Sequence, residues 1–394
     1  MVIFMKKWVT LFFFCWCMIG CMHVPTMMNF EGKDRKELEN FVSDYHLEIE
    51  VEEVYSEKQV GMILEQYPKS GKIRKNEKIK IVVSKGIDYE GLKINELGDV
   101  PIMMYHGIWD MENNDTDDKN GNVDNYGYQR TSEAFRKDLE FYYKEGYRMI
   151  RLSDFVHGKI DVELGKSPII LTFDDGKHNI SVSKNEQGEL IVDSHSAVGI
   201  LEEFKKKYPD FKVTATFFLN SSLFESEYNE EIIKWLIEHG YDIGNHSADH
   251  VDFTKVNSEE ASKQIGKMYS ILNAIIPQKY VPIVALPFGS PYSKEHINFS
   301  HILNSSYNGK NYDTIATLRV GWEASPSPFS SQFDSTFLKR IRAYDNDGED
   351  FDIEMNFHIL SKSKFISDGN PNMITIPDSL KSNVGKTTLK LNTY

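Results

Sequence analysis

Beyond residue 21 the chain has no cysteine: its three are Cys15, Cys17 and Cys21. A disulfide framework is thereby excluded for everything that follows. Long apolar runs are also missing. The charge-free stretch Trp8–Gly20 is 13 residues, too short to cross a bilayer comfortably. Positive charge is in deficit, with 45 Lys and Arg against 59 Asp and Glu and a net charge of −14. That balance argues against nucleic acid or anionic lipid held by bulk electrostatics. It suits a neutral or cationic polymer, although solubility alone accounts for it. No internal repeat appears. What is present is a globular composition, 40% hydrophobic and 26% charged, with 24 Phe and 20 Tyr in 394 residues. That length holds one large domain and a small companion.

The most informative string is Leu171-Thr172-Phe173-Asp174-Asp175-Gly176, followed far downstream by His246-Ser247-Ala248-Asp249-His250. Neighbouring side chains on extended backbone point oppositely, so an apolar strand ending in two carboxylates can turn one to a metal and the other to water. Two imidazoles at i and i+4 are expected on one face of a helical turn, where they can share an ion. Asp with two His leaves a coordination position open, as catalytic rather than structural zinc sites do. Alone, Asp-Asp-Gly is more often a turn and a His pair more often surface. Their combination with Leu286-Pro287-Phe288-Gly289 favours catalysis.

Thr172–Gly176, His246–His250 and Ala285–Gly289 resemble the first three motifs of the polysaccharide deacetylases, the NodB-homology carbohydrate esterases of family 4. The resemblance covers about residues 99 to 380. It implies an α/β fold, a distorted (β/α)7 barrel, and an N-deacetylase acting on N-acetylglucosamine residues of cell-wall peptidoglycan. Asp175, His246 and His250 would hold a divalent metal, Zn²⁺ before Co²⁺ or Ni²⁺. Zinc lowers the pKa of bound water from ~16 to about 7. Asp174 would be the general base, and the backbone N–H of Phe288 would face the oxyanion. An acid must also protonate the departing amine. His106, in Met104-Tyr105-His106, resembles a Tyr-His element found in some branches of the family and is chosen over His358. His239 reads as a helix C-terminal residue, and His157, His178 and His195 as surface. The family's motif-three Arg, which orients the catalytic aspartate, is Ala285 here. Arg319, Arg340 and Arg342 are candidates to replace it, and Trp322 is a candidate pocket wall. A binding protein that has lost activity, or a deacetylase of another poly-N-acetylglucosamine glycan, is the alternative.

Strands and helices alternate through this region: helix 131–145, strand 168–173, helix 196–207, strand 213–219, helix 229–239, strand 241–244, and strands near 282–286 and 314–320. This is the pattern of parallel βα units, with the motifs at the carboxyl ends of strands. The insert 178–194 reads as a hairpin centred on Gln187-Gly188. Asp118, Asn120 and Gly121 approach a calcium loop, but Thr116 and Gly127 break its pattern, leaving a solvated loop.

Residues 21–88 read as a separate small α+β domain: a helix from about Arg35, an alternating strand through Leu47, Ile49 and Val51, and another over Ile79–Gly86. Val24-Pro25, Gln66–Gly71 and Val83–Gly86 are similar to a PASTA domain, a family linked to peptidoglycan recognition; a plain stalk is the other reading. Lys6 and Lys7 precede the apolar run, which ends Met18-Ile19-Gly20-Cys21 and resembles a bacterial lipobox. Residues 1–20 are thus expected to act as a lipoprotein signal peptide. Cys21 would carry lipid and tether residues 99–394, the deacetylase-like domain, at the extracellular face of a bacterial membrane.

Overall fold

The structure, a computed structural model, describes residues 25–74, 77–111, 121, 123–124, 126–346 and 352–394. The expected signal segment with Cys21, and the residues Thr116, Asp118 and Asn120, lie outside these. Among the described residues no helix is long and apolar enough to cross a membrane. The chain divides into two compact units, one ending at Leu92 and the other starting at Lys93.

In the first unit, helix α1 (Arg35–Tyr45) starts at Asp34, whose side chain accepts the Lys36 N–H, and it buries Leu38 and Phe41. Strands β1 (Ile49–Val54), β2 (Ile63–Tyr67) and β3 (Ile79–Ser84) form a sheet with β3 in the centre. β3 runs parallel to β1 and antiparallel to β2. The alternation of the sequence is visible in the burial of Ile79, Ile81 and Val83, which join Ile63, Leu38 and Phe41 in one core.

The second unit is built on a parallel sheet. Its strands are β4 (Ile102–Tyr105), β5 (Tyr147–Met149), β6 (Ser167–Asp174), β9 (Thr216–Leu219), β10 (Asp242–Asn245), β11 (Ile283–Ala285), β12 (Ala316–Leu318) and β13 (Ile341–Arg342). The hairpin β7 (Val182–Lys184) and β8 (Leu190–Val192) fills the 178–194 insert. The spatial order is β12-β11-β10-β9-β6-β4-β13, with β5 beside β6. Every pairing along this path is parallel. Helices α2 (Ser132–Lys144), α3 (Ala197–Lys207), α4 (Asn229–Glu238) and α5 (Ser258–Ile275) supply crossovers. All eight residues of β6 are buried, as a strand flanked on both sides requires.

The sheet curls until its ends nearly meet. Leu338 bridges Leu318 of β12, and three residues later Ile341 pairs with Met103 of β4. One run of backbone, Leu338 to Ile341, therefore joins the two sides of the curled sheet across the barrel seam. His358 sits exposed on α6 (Ile353–Leu360), a helix capped by Asp352.

Glu96 anchors the start of this unit to its C-terminal strands. Its carboxylate accepts the N–H groups of Thr375 and Asp368 and the Ser367 hydroxyl, and it is 3% exposed. Burial, reinforced by the Asp368 charge, raises its pKa from 4.5 to about 8. Between those values the folded chain binds the proton more tightly than the unfolded chain does. Stability from this group is therefore full below pH 4.5 and is lost as pH rises towards 8, at up to about 1.4 kcal/mol per pH unit. Glu96→Gln is expected to flatten the fall in urea midpoint between pH 5 and pH 8 relative to the native chain, whatever constant offset it adds. Parallel curves for the two proteins would refute this.

Candidate active site

Strand β6 delivers Asp174 as its last residue, 1% exposed, with its carboxylate held inside. The chain then turns sharply: Asp175 has φ 70° and Gly176 φ 79°. A Cβ on Gly176 would lie 2.1 Å from the carbonyl oxygen of Leu223, so only glycine fits. This turn swings the Asp175 carboxylate to the far side of the strand end, towards β10.

After Asn245, the final residue of β10, come His246 and His250. They do not lie on a helical turn, as their spacing suggested. The segment is a loop in which Ser247 (φ 58°) and His250 (φ 50°) adopt left-handed backbone. These two reversals, rather than helical pitch, bring the imidazoles together, with ring centroids 4.8 Å apart. One ligand atom from each of Asp175, His246 and His250 lies within 4.8 Å of the others. Oδ1 of Asp175 is 3.4 Å from His246 Nε2 and 3.5 Å from His250 Nε2.

The residues fit a divalent metal. His246 Nδ1 donates to the Ala285 carbonyl at 2.8 Å, which leaves Nε2 as the unprotonated nitrogen. Nε2 is buried and has no hydrogen-bond partner among the described residues. A buried acceptor aimed at a carboxylate and a second imidazole is costly unless a cation sits between them.

Asp174 is gripped by Arg340, which is itself fully buried. Nη1 donates to Oδ1 at 2.8 Å and Nη2 to Oδ2 at 2.7 Å. Arg340 is held in turn by the Thr172 hydroxyl and the Arg319 carbonyl. Burial pushes the Asp174 pKa up, but the Arg340 guanidinium, by its charge and its two hydrogen bonds, outweighs it, and the carboxyl stays below its ordinary range. Of the three arginines considered for the place lost at Ala285, Arg340 thus meets the aspartate. Arg319 instead lies over the Phe337 ring, and Arg342 over Tyr128 while donating to the Tyr126 carbonyl.

His106 follows β4, the strand beside β6. Burial lowers its pKa, opposed by the charges of Asp174 and Asp175. Its ring meets Tyr128 edge-on at 5.1 Å, and its backbone carbonyl accepts from Asn179 Nδ2 at 2.7 Å. Neither Tyr128 nor Asn179 was legible in advance. Phe288 has φ 57°, is 56% exposed, and rests its ring edge-on against His250 at 4.6 Å. Trp322 is 45% exposed next to the closing strand, bridging Ile341. Away from the site, His239 caps α4, with Nδ1 bonded to the Trp235 carbonyl. His195 pairs with Asp110, and His157 and His178 are exposed.

Residues 161–304 match the family model described as polysaccharide deacetylase, and residues 25–85 match the PASTA domain. The peptidoglycan-N-acetylmuramic acid deacetylase PdaC of Bacillus subtilis is 24% identical over 190 residues, covering 48% of this chain and 32% of PdaC. The chain thus spans about a third of the length of that curated relative. Among solved structures, the Streptococcus pyogenes deacetylase PplD with acetate is 17% identical, covering 62% of this chain and 92% of PplD, with a TM-score of 0.44. A polysaccharide deacetylase from Bacillus cereus is 18% identical, covering 61% and 64%, with a TM-score of 0.42.

Proposed function

From a chain that carries a polysaccharide deacetylase domain behind a PASTA domain, we propose an enzyme that hydrolyses N-acetyl groups on cell-wall peptidoglycan, releasing acetate. The observation that carries this is the adjacency of two differently held carboxylates, Asp174 clamped by Arg340 and Asp175 facing two imidazoles.

Asp175, His246 and His250 would hold the metal, Zn²⁺ in this reading, which supplies a Lewis acid and makes water a usable nucleophile near neutral pH. Asp174, kept ionised and oriented by Arg340, takes a proton from the water that attacks the acetyl carbonyl carbon. The Phe288 N–H donates to the oxyanion as the carbonyl carbon becomes tetrahedral. His106 gives a proton to the sugar nitrogen as the C–N bond breaks, leaving acetate and a free amine. Arg340, just ahead of the closing strand, supports the catalytic reading, since it gives Asp174 the cationic partner that Ala285 cannot supply.

The PASTA domain supports a wall substrate, and the lipobox-like Cys21 supports a lipid anchor at the outer face of the membrane. N-acetylglucosamine is the expected sugar, while the name of the Bacillus subtilis relative brings N-acetylmuramic acid into consideration. The test is acetate release from N-acetylated peptidoglycan by the chain from Met22, with zinc supplied and then stripped by chelator. Release that stops on chelation and returns with zinc is the expected result, and the sugar that gains an amine identifies the substrate. Metal-loaded protein that binds wall without releasing acetate would favour the binding role.

A further inference from the structure

Helix α5 reaches the ligand loop through two side chains, Gln264 and Lys267, and Lys267 Nζ donates to Asp249 Oδ1 at 3.1 Å from the exposed side. Gln264 is 1% exposed, and its amide contacts Asp249, the residue directly before His250, at both ends. Oε1 accepts the Asp249 N–H at 2.8 Å, and Nε2 donates to Asp249 Oδ2 at 2.8 Å. Nε2 also donates to Glu260 Oε1, one turn earlier on α5, which fixes which way round the amide sits. The Gln264 carbonyl, within a helix, additionally accepts the Ala248 N–H at 3.0 Å. The neighbouring Ile265 carbonyl accepts Asn245 Nδ2, and Asn245 Oδ1 takes the Ser247 N–H.

The loop needs this support. Two of its five residues, Ser247 and His250, hold left-handed backbone without being glycine. Such residues are strained and persist only where their surroundings over-determine them. The opposite side contributes Ser221, whose N–H and hydroxyl both reach the Ala248 carbonyl. The peptide joining Ala248 to Asp249 is thus caught between the loop after β9 and α5: Ser221 takes its carbonyl and reaches Asp249 Oδ1 at 3.4 Å, while the buried Gln264 takes its N–H and holds Asp249 Oδ2.

We infer that Gln264 is a positioning residue that sets the His250 imidazole for metal binding by clamping Asp249. The inference rests on the reading of Asp175, His246 and His250 as metal ligands. It acts through the ligand loop and touches neither metal nor substrate. Residues that orient ligands typically matter 10–100-fold in metal affinity.

The test is zinc affinity of the whole chain by chelator competition, together with the melting temperature of the metal-free protein. Gln264→Ala is expected to weaken zinc binding by about tenfold or more, out of proportion to any fall in metal-free melting temperature. Gln264→Glu sets a carboxylate against Asp249 and should weaken binding similarly. Adding Asp249→Asn returns a donor to face the new acceptor, and the double variant, which still opposes Glu260, should recover part of the lost affinity. Native-like zinc affinity in Gln264→Ala overturns the inference. If that variant does not fold, equal affinities for Gln264→Glu and its Asp249→Asn partner overturn it. A native chain that fails to bind zinc overturns the site reading and this inference together.

Discussion

Asp174→Asn is expected to cut acetate release by about 10²–10⁴-fold, the usual contribution of a positioned general base, while zinc content stays at the native level. The amide keeps the size of the carboxylate but cannot take a proton from water. It sits 1% exposed at the end of a fully buried strand, so solvent cannot substitute for it. Asp175, His246 and His250 are separate side chains and keep their mutual geometry. Turnover and bound metal should therefore part company. Because the substitution also leaves the Arg340 charge without its partner, rates are to be measured well below the melting temperature of the variant. Retention of more than about a tenth of native turnover would assign the base elsewhere.

Arg340→Met should be the most destabilising single change at the site. It strips a fully buried carboxylate of two hydrogen bonds of 2.7 and 2.8 Å and of its only bidentate cation among the described residues. Breaking a buried ion pair from one side costs about 3–5 kcal/mol, because an uncompensated charge stays behind. The matched prediction is that Asp174→Asn combined with Arg340→Met is less destabilised than the sum of the two single variants, since the double variant buries no orphaned charge. Urea unfolding of the four proteins closes the cycle. Simple additivity would mean that the pair contributes no coupling, and the account of Asp174 as a carboxylate held ionised by Arg340 would fall with it.

Much of this protein was legible as strings. Asp174-Asp175-Gly176 follows an apolar run, and His246 to His250 is contiguous, so each half of the site is written within a few residues. The βα alternation is local too, since it depends on hydrophobic period and turn chemistry. Expectation and structure part at the His pair: spacing suggested helical pitch, but the loop uses left-handed backbone at Ser247 and His250. An i, i+4 spacing is compatible with both, and tertiary contacts to Gln264 and Ser221 choose between them. Arg340 was one candidate of three. It lies 166 residues from Asp174, and nothing in Lys339-Arg340-Ile341-Arg342 says which arginine turns inward.

Local pattern and composition were enough for the parallel βα architecture, the carboxylate and imidazole motifs and the lack of any cysteine beyond Cys21. The tertiary structure alone decided which arginine orients Asp174. That choice depends on where the barrel seam closes, with Leu338 bridging β12 and Ile341 pairing with β4. Closure places Arg340 beside the end of β6 and turns Arg342 towards Tyr128. Side-chain direction on a closing strand is set by pairing register, and register is a property of the whole sheet.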